Sequence, residues 1–404
     1  MPSALLADAT ALTDKIVALR RAIHAEPEIG LHTPRTRDKI RAALAHLPLD
    51  WREGPSTTGL VATLKGGAGP GRSILLRGDM DALPMPEETG LPFASQVPGT
   101  MHACGHDAHV AMLAGAVEIL CRQRESLAGE VRFMFQPGEE GYHGARFMLD
   151  DGLLGGVGTG IALPDAAFAL HVMPNAPHGL IGGRAGPLLA AADQLQVTVT
   201  GRGGHASMPH QTLDPVPIAC EIVLALQTMV ARRFSVFDPV VVTIAKIEAG
   251  TAHNVIADTA TLTGTMRTLS AANRARLKDE VPVLAAGIAG AHGLTAEVTI
   301  HEGFPVTVCD AGAVDFGESV AREMFGGAAF LRLADPIMGA EDFAYVLEKM
   351  PGAMFFLGVS HEGDDWQHCC GIHSTKMMVD ESVMPQGAAY LAGLATRFLE
   401  RGWS

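Results

Sequence analysis

SILLRGDMDAL, residues Ser73 to Leu83, is a short apolar strand that ends at Gly78 and carries two acids, Asp79 and Asp81, just past its carboxyl end. The pattern recurs twice. EVRFMFQ (Glu130 to Gln136) runs into PGEEG, which sets Glu139 and Glu140 behind a second apolar strand, and AAFALHV (Ala166 to Val172) ends at His171 in the same way. Open α/β sheets gather ligands in the crevice outside the carboxyl ends of their strands, so these motifs are expected to converge. GLVATLKGG (Gly59 to Gly67) reads as a further strand.

Between the first two of these strand ends lies MHACGHDAH, Met101 to His109. A thiol (Cys104) and an imidazole (His106) stand two residues apart. The apolar run behind them, AHVAMLAGAVEIL, has helical spacing through Val110, Leu113, Ala114 and Val117, with Asp107 expected to cap its first turn. A thiolate and a neutral imidazole on the lead-in to a helix form a metal half-site. Alone, a single C-x-H is more often a buried Cys beside a satisfied His. Glu140, His171 and His373 change that balance, because they lie where a metal site built around this turn needs further ligands. Two adjacent carboxylates cannot easily both ionise in a dry site unless cations hold them, so Glu139 and Glu140 divide naturally into one general base and one ligand.

The chain has 404 residues, 48% hydrophobic and 18% charged, which suits a globular protein with one large core and a second domain. Its 30 Lys and Arg against 44 Asp and Glu, a formal net charge of -14, argue against a nucleic-acid partner. No apolar run is read as approaching the ~20 residues of a spanning helix, and the N-terminus reads as an amphipathic helix without a signal peptide's apolar core, so no membrane partner and a cytoplasmic location are expected. The six cysteines, Cys104, Cys121, Cys220, Cys309, Cys369 and Cys370, form no regular disulfide framework.

Upstream, RRAIHAEPEIG holds His24 and Glu28, read as scaffold, with His24 a partner for the helix dipole. From about Gly186 the texture changes. DQLQVTVTG, PVPIACEIVLALQTMVARR, PVVVTIAKIEAG, TATLTGTMRTL, ANRARLKDEVPVLAAGIAGAHG and TAEVTIHEG follow the order β-α-β-β-α-β, a compact two-layer unit. The reading is a catalytic α/β domain with a mainly parallel sheet flanked by helices, residues 1–185 and 304–404, interrupted by an inserted α+β domain, residues 186–303.

The set GDMDALP, MHACGHDAH, PGEEG, ALHV, GRGGHASMPH, NVIADTATLTGTMRT, MGAEDFAY and GIHS resembles the co-catalytic metallohydrolases: aminoacylases, hippurate hydrolases, indole-acetyl-amino-acid hydrolases and related carboxypeptidases. The likeness covers nearly the whole chain in the family's order. It implies two divalent metal ions per subunit and an inserted ferredoxin-like domain that serves as lid and dimer interface. By motif, Cys104 would bridge the metals, His106 and His171 would serve one, and Glu140 and His373 the other. Glu139 would be the general base and Asp81 would orient the site. Asp79 stands where other branches carry a metal-binding His, so its place is behind the ligands. From the lid, His205 would help hold the oxyanion, while Asn254 and Arg267 would receive the substrate's free carboxylate. Relatives commonly place a Pro after the last liganding His and lack the paired cysteines of CCGIHSTK, so Cys369 and Cys370 read as extra ligands, a redox pair or packing.

The activity implied is metal-dependent hydrolysis of N-acyl-amino acids into a carboxylic acid and a free amino acid, by a homodimer or higher homo-oligomer. Mixed S, N and O ligands suit Zn, Mn, Co or Ni. Two rivals remain: a carboxypeptidase or dipeptidase with the same two-metal chemistry acting on a short peptide, and a non-catalytic binding protein with a structural metal. The second has no use for a spare carboxylate at Glu139.

Overall fold

The computed structural model describes residues 4–404, which form two compact units. The first comprises residues 4–188, 308–335 and 342–404; the second comprises residues 189–307 and 336–341.

An eight-stranded mixed sheet organises the first unit. Five of its strands are β1 (Asp50–Glu53), β2 (Leu60–Lys65), β3 (Ser73–Asp79), β4 (Glu130–Gln136) and β5 (Ala166–Met173). Across the sheet the order is β1, β2, β4, β3, β5, then Gly352–Gly358, Ile181–Gly183 and Phe330–Arg332. β4, β3, β5 and Gly352–Gly358 run parallel, whereas β1 and β2 form an antiparallel edge. β3, β4 and β5 are buried along almost their whole length, as their unbroken apolar runs require when helices cover the sheet. This is the α/β architecture read from the sequence.

Helix His106–Arg122 is buried from His106 to Leu120. At Gly115 an added Cβ would come within 2.8 Å of Ile16 Cδ1 and 2.9 Å of Ala388 Cβ, so the missing side chain lets helices Thr13–His24 and Met384–Arg401 close on this one. The cap differs from expectation. The N-cap is Gly105 at φ +84°, with no side-chain cap bond. An L residue would be strained there, and its Cβ would lie 2.3 Å from Val172 Cγ2. Asp107 does not cap because Arg20 Nε donates to its Oδ2 at 2.7 Å, and His24 Nδ1 approaches the same oxygen at 2.8 Å. His24, likewise, is no dipole partner: it is buried between Asp107 and Glu87, whose Oε1 is 3.1 Å from Nε2. Glu28 is scaffold, as read; its carboxylate accepts the main-chain N–H groups of Arg35 and Thr36 at the start of helix Pro34–Leu44.

The second unit has strands Ala191–Thr200, Val240–Ala249, Thr259–Thr268 and Thr295–Glu302, all antiparallel to their neighbours, and helices Pro215–Arg233 and Ala271–Ala291. The order is β-α-β-β-α-β with the first and third strands central. Leu195, Val197, Val199, Ile218, Ile222, Leu262 and Val281 meet in its core. Helix Pro215–Arg233, 19 residues long, is apolar enough to cross a membrane by length and composition, which corrects the expectation that no run approaches that length. Its apolarity has a local use, since Ile218, Ala219, Ile222, Leu226 and Met229 enter this core.

Candidate active site

In the first unit the carboxyl ends of β3, β4 and β5 converge on the turn before helix His106–Arg122. Cys104 Sγ lies 3.4 Å from His171 Nε2, and the donor atoms of Cys104, His106 and His171 all lie within 4.8 Å of one another. Cys104, Glu140 and His373 form a second such group, and His106, Glu139 and Glu140 a third. His373 arrives from the far end of the chain. Its main-chain N–H donates to the Ala103 carbonyl at 2.7 Å, and its φ of +63° turns the segment so that Nε2 stands 3.3 Å from Glu140 Oε1.

The hydrogen bonds fix which nitrogens carry lone pairs. His106 Nδ1 lies 2.9 Å from the Asp81 carbonyl, which only accepts, so the proton is on Nδ1. His171 Nδ1 lies 2.6 Å from the Val172 carbonyl, with the same consequence. Both rings therefore aim Nε2 into the cluster. There, His106 Nε2 is buried without a hydrogen-bond partner and faces Glu140 Oε1 4.0 Å away. A buried orphan of this kind costs free energy unless something occupies the space beside it, so the donor set fits metal ions.

The electrostatics agree. Burial opposes charge on His106, yet Asp79 and Cys104 outweigh it and hold this imidazole well above its usual range. The field that favours a second proton on Nε2 also favours a cation there. Burial, with the neighbouring histidines, keeps His171 well below the usual range and hence neutral, as a ligand must be. Hydrogen bonds to Cys104 and Glu140 push His373 up to about 10, and burial pushes the Cys104 thiol up.

Asp81 is not within the donor cluster. Its Oδ1 accepts the Glu139 N–H at 3.0 Å and its Oδ2 the Glu140 N–H at 3.1 Å, so one carboxylate holds the PGEEG turn while its carbonyl holds His106. Asp79 lies behind the ligands: Oδ1 is 2.6 Å from His109 Nδ1 and Oδ2 pairs with Arg77. The proximity of Asp79, His106 and His109 is therefore no third metal site, because both oxygens of Asp79 are taken.

Arg77 Nε donates to Gln136 Oε1 at 2.8 Å and its Nη2 to Asp342 Oδ1 at 3.1 Å, all of them buried. Sequence reading passed over His109, Arg77, Gln136 and Asp342. One signal was available: His109 follows His106 by three residues, which puts both rings on one helix face.

His205, Asn254 and Arg267 belong to the second unit. Strand Gly204–His205 pairs with Val255–Ile256, and the Ala206 N–H donates to the Asn254 carbonyl at 3.1 Å, so His205 and Asn254 share one exposed edge. His205 Nδ1 accepts the Ser207 N–H at 3.1 Å, which leaves the proton on Nε2. Arg267, half-buried on strand Thr259–Thr268, makes no ion pair among the described residues; the nearby Asp193 is bonded to Arg274 at 2.7 and 2.9 Å.

Residues 75–397 match the pattern of peptidase family M20/M25/M40. The chain belongs to this family. Among its M20 relatives, a thermostable carboxypeptidase 1 of Saccharolobus solfataricus is 36% identical over 97% of each chain. The IAA-amino acid hydrolase ILR1-like 2 of Arabidopsis thaliana is 37% identical over 96% of this chain and 86% of its own. Among solved structures, the YXEP protein of Bacillus subtilis, described as a dinuclear metal binding peptidase of the M20 family, superposes with a TM-score of 0.82 at 33% identity, covering 97% of this chain and 99% of its own. An M20 metallohydrolase is the class that the donor cluster and the family together give this chain.

Proposed function

We propose that the chain is a two-metal amidohydrolase that cleaves N-acyl-amino acids at the amide bond. The observation that carries this reading is the pairing, on one turn, of Glu140 within the Cys104 and His373 donor group and Glu139 beside His106, its Oε2 at 4.0 Å from Nε2. Cys104, His106, Glu140, His171 and His373 would hold the ions, with Zn, Mn, Co and Ni suited to the mixed donors. Bound there, two divalent ions supply an acidified water and polarise the amide carbonyl. Glu139 takes the proton of the attacking water and returns it to the departing amine nitrogen. Asp81 keeps Glu139 and Glu140 in place through their main-chain N–H groups. His205 offers its Nε2–H to the oxyanion, serving the neighbouring subunit of a homodimer in which the inserted unit is lid and interface. Arg267 and Asn254 receive the substrate's free carboxylate; an arginine with no ion pair among the described residues supports that role.

The second reading is a carboxypeptidase using the same site, favoured by the 36% identity to a protein of that name. A cytoplasmic setting accompanies either reading and is supported by six cysteines that are all free thiols. A turnover screen after chelation, with Mn or Zn restored, decides between the two. N-acetyl, N-benzoyl and indole-acetyl amino acids are expected to outpace dipeptides. Hydrolysis of dipeptides alone would replace the first reading with the second, and no metal-restored turnover of either class would sink both.

A further inference from the structure

We infer that His109 is a positioning residue that sets the aim of His171 through the peptide of Val172. The ladder between β3 and β5 ends at the pair Arg77 and Ala169, so the Val172 N–H lies beyond it. That buried donor goes instead to His109 Nε2 at 2.8 Å. A main-chain N–H only donates, so Nε2 carries the lone pair and the His109 proton sits on Nδ1, where Asp79 Oδ1 accepts it at 2.6 Å. Both nitrogens of His109 are thus committed, and the ring cannot be a ligand.

The same Val172 peptide unit is used a second time. Its carbonyl accepts the Nδ1–H of His171 at 2.6 Å, the bond that presents His171 Nε2 to Cys104. The His109 and His171 rings are also in edge contact, with centroids 4.5 Å apart at 62°. A chain of bonds therefore runs from Arg77 through Asp79, His109 and the Val172 main chain to His171. Arg77 is itself held by Gln136 and Asp342. Without an acceptor at the His109 position, the end of β5 has a buried N–H with no partner, and the residue that orients His171 is released to seek one. Groups that orient ligands from behind are commonly worth 10- to 100-fold in metal affinity.

The inference rests on the reading that His171 is a metal ligand, and the test separates the two. Zn affinity and stoichiometry are measured by chelator competition on the full chain for the wild type, His171→Ala, His109→Leu, His109→Gln and His109→Asn. Gln places an acceptor near the Nε2 position, whereas Asn falls short of it. One of the two ions should be lost in His171→Ala. It should be weakened roughly 10- to 100-fold in His109→Leu and His109→Asn, and largely restored in His109→Gln. If His109→Leu does not fold, the order of Gln above Asn carries the test. Equal affinity in all His109 variants, with the ion lost in His171→Ala, overturns the positioning role alone; unchanged binding in His171→Ala overturns the ligand reading beneath it.

Discussion

Asp81 grips Glu139 by its main-chain N–H, at 3.0 Å, and not by its carboxylate. The turn is fixed while the acid that it carries keeps its own chemistry. Glu139→Gln is accordingly expected to retain two metals per chain and to lose at least ~10²–10⁴-fold in kcat, the usual worth of a proton-transfer group. Glu140→Gln should lose metal first and rate in consequence. Metal analysis beside single-turnover rates checks this, and equal metal loss in the two variants would show that their roles are divided wrongly.

The clamp proposed at Arg267 makes a prediction about substrate choice. A planar guanidinium grips a carboxylate through two parallel hydrogen bonds, so the wild type should cleave an N-acyl-amino acid much faster than its C-terminal amide. Arg267→Ala should narrow that ratio chiefly through KM for the acid. Comparable kcat/KM for acid and amide in the wild type would remove the clamp.

For His205 the expected outcome concerns pairs of chains. Glu139→Ala and His205→Ala are each expected to be inactive, and mixing them one to one under subunit exchange should restore about half of wild-type activity per mixed dimer, about a quarter over the whole mixture, through the one cleft that keeps Glu139 and receives an intact His205. Mixtures that stay silent, despite exchange verified by mass, place His205 in service of its own cleft.

His24 sets a pH dependence of stability. Burial opposes its charge, but Asp107 and Glu87 push its pKa up to about 9, while His24, Thr89 and Ser95 hold Glu87 down to about 2 against its own burial. A histidine raised above its unfolded value near 6.5 stabilises the fold most below that pH and loses the contribution as pH climbs through 9. The stability difference between wild type and His24→Gln should therefore be greatest between about pH 5 and 6 and shrink by on the order of 3 kcal/mol by pH 10. Urea midpoints at constant metal concentration measure it; a difference that does not change across that window refutes the assignment.

Much of this was legible before the fold was seen. β3, β4 and β5 announce themselves as apolar runs ending in acids or His171, because a strand covered on both faces has no alternation to blur it. Cys104, His106, Glu139 and Glu140 stand at such ends or on the helix lead-in that meets them. The misreadings share a cause. Asp107 and His24 obey local rules for caps and dipoles, and Arg20 and Glu87, distant from one or both in sequence, override those rules by burying them together. Arg77 and His109 escaped notice because their partners, Asp342 and the Val172 main chain, become neighbours only when the sheet is assembled.

The bond from the His373 N–H to the Ala103 carbonyl joins two segments that the whole of the second unit separates along the chain. During synthesis, the Cys104 turn, the PGEEG turn and His171 emerge well before their last partner. A growing chain thus exposes a thiol, carboxylates and imidazoles before the His373 segment exists, and the core residues of the inserted unit, from Leu195 to Leu294, also precede it. On the proposed ligand set, tight loading with a full complement of ions waits for the arrival of the C-terminal segment.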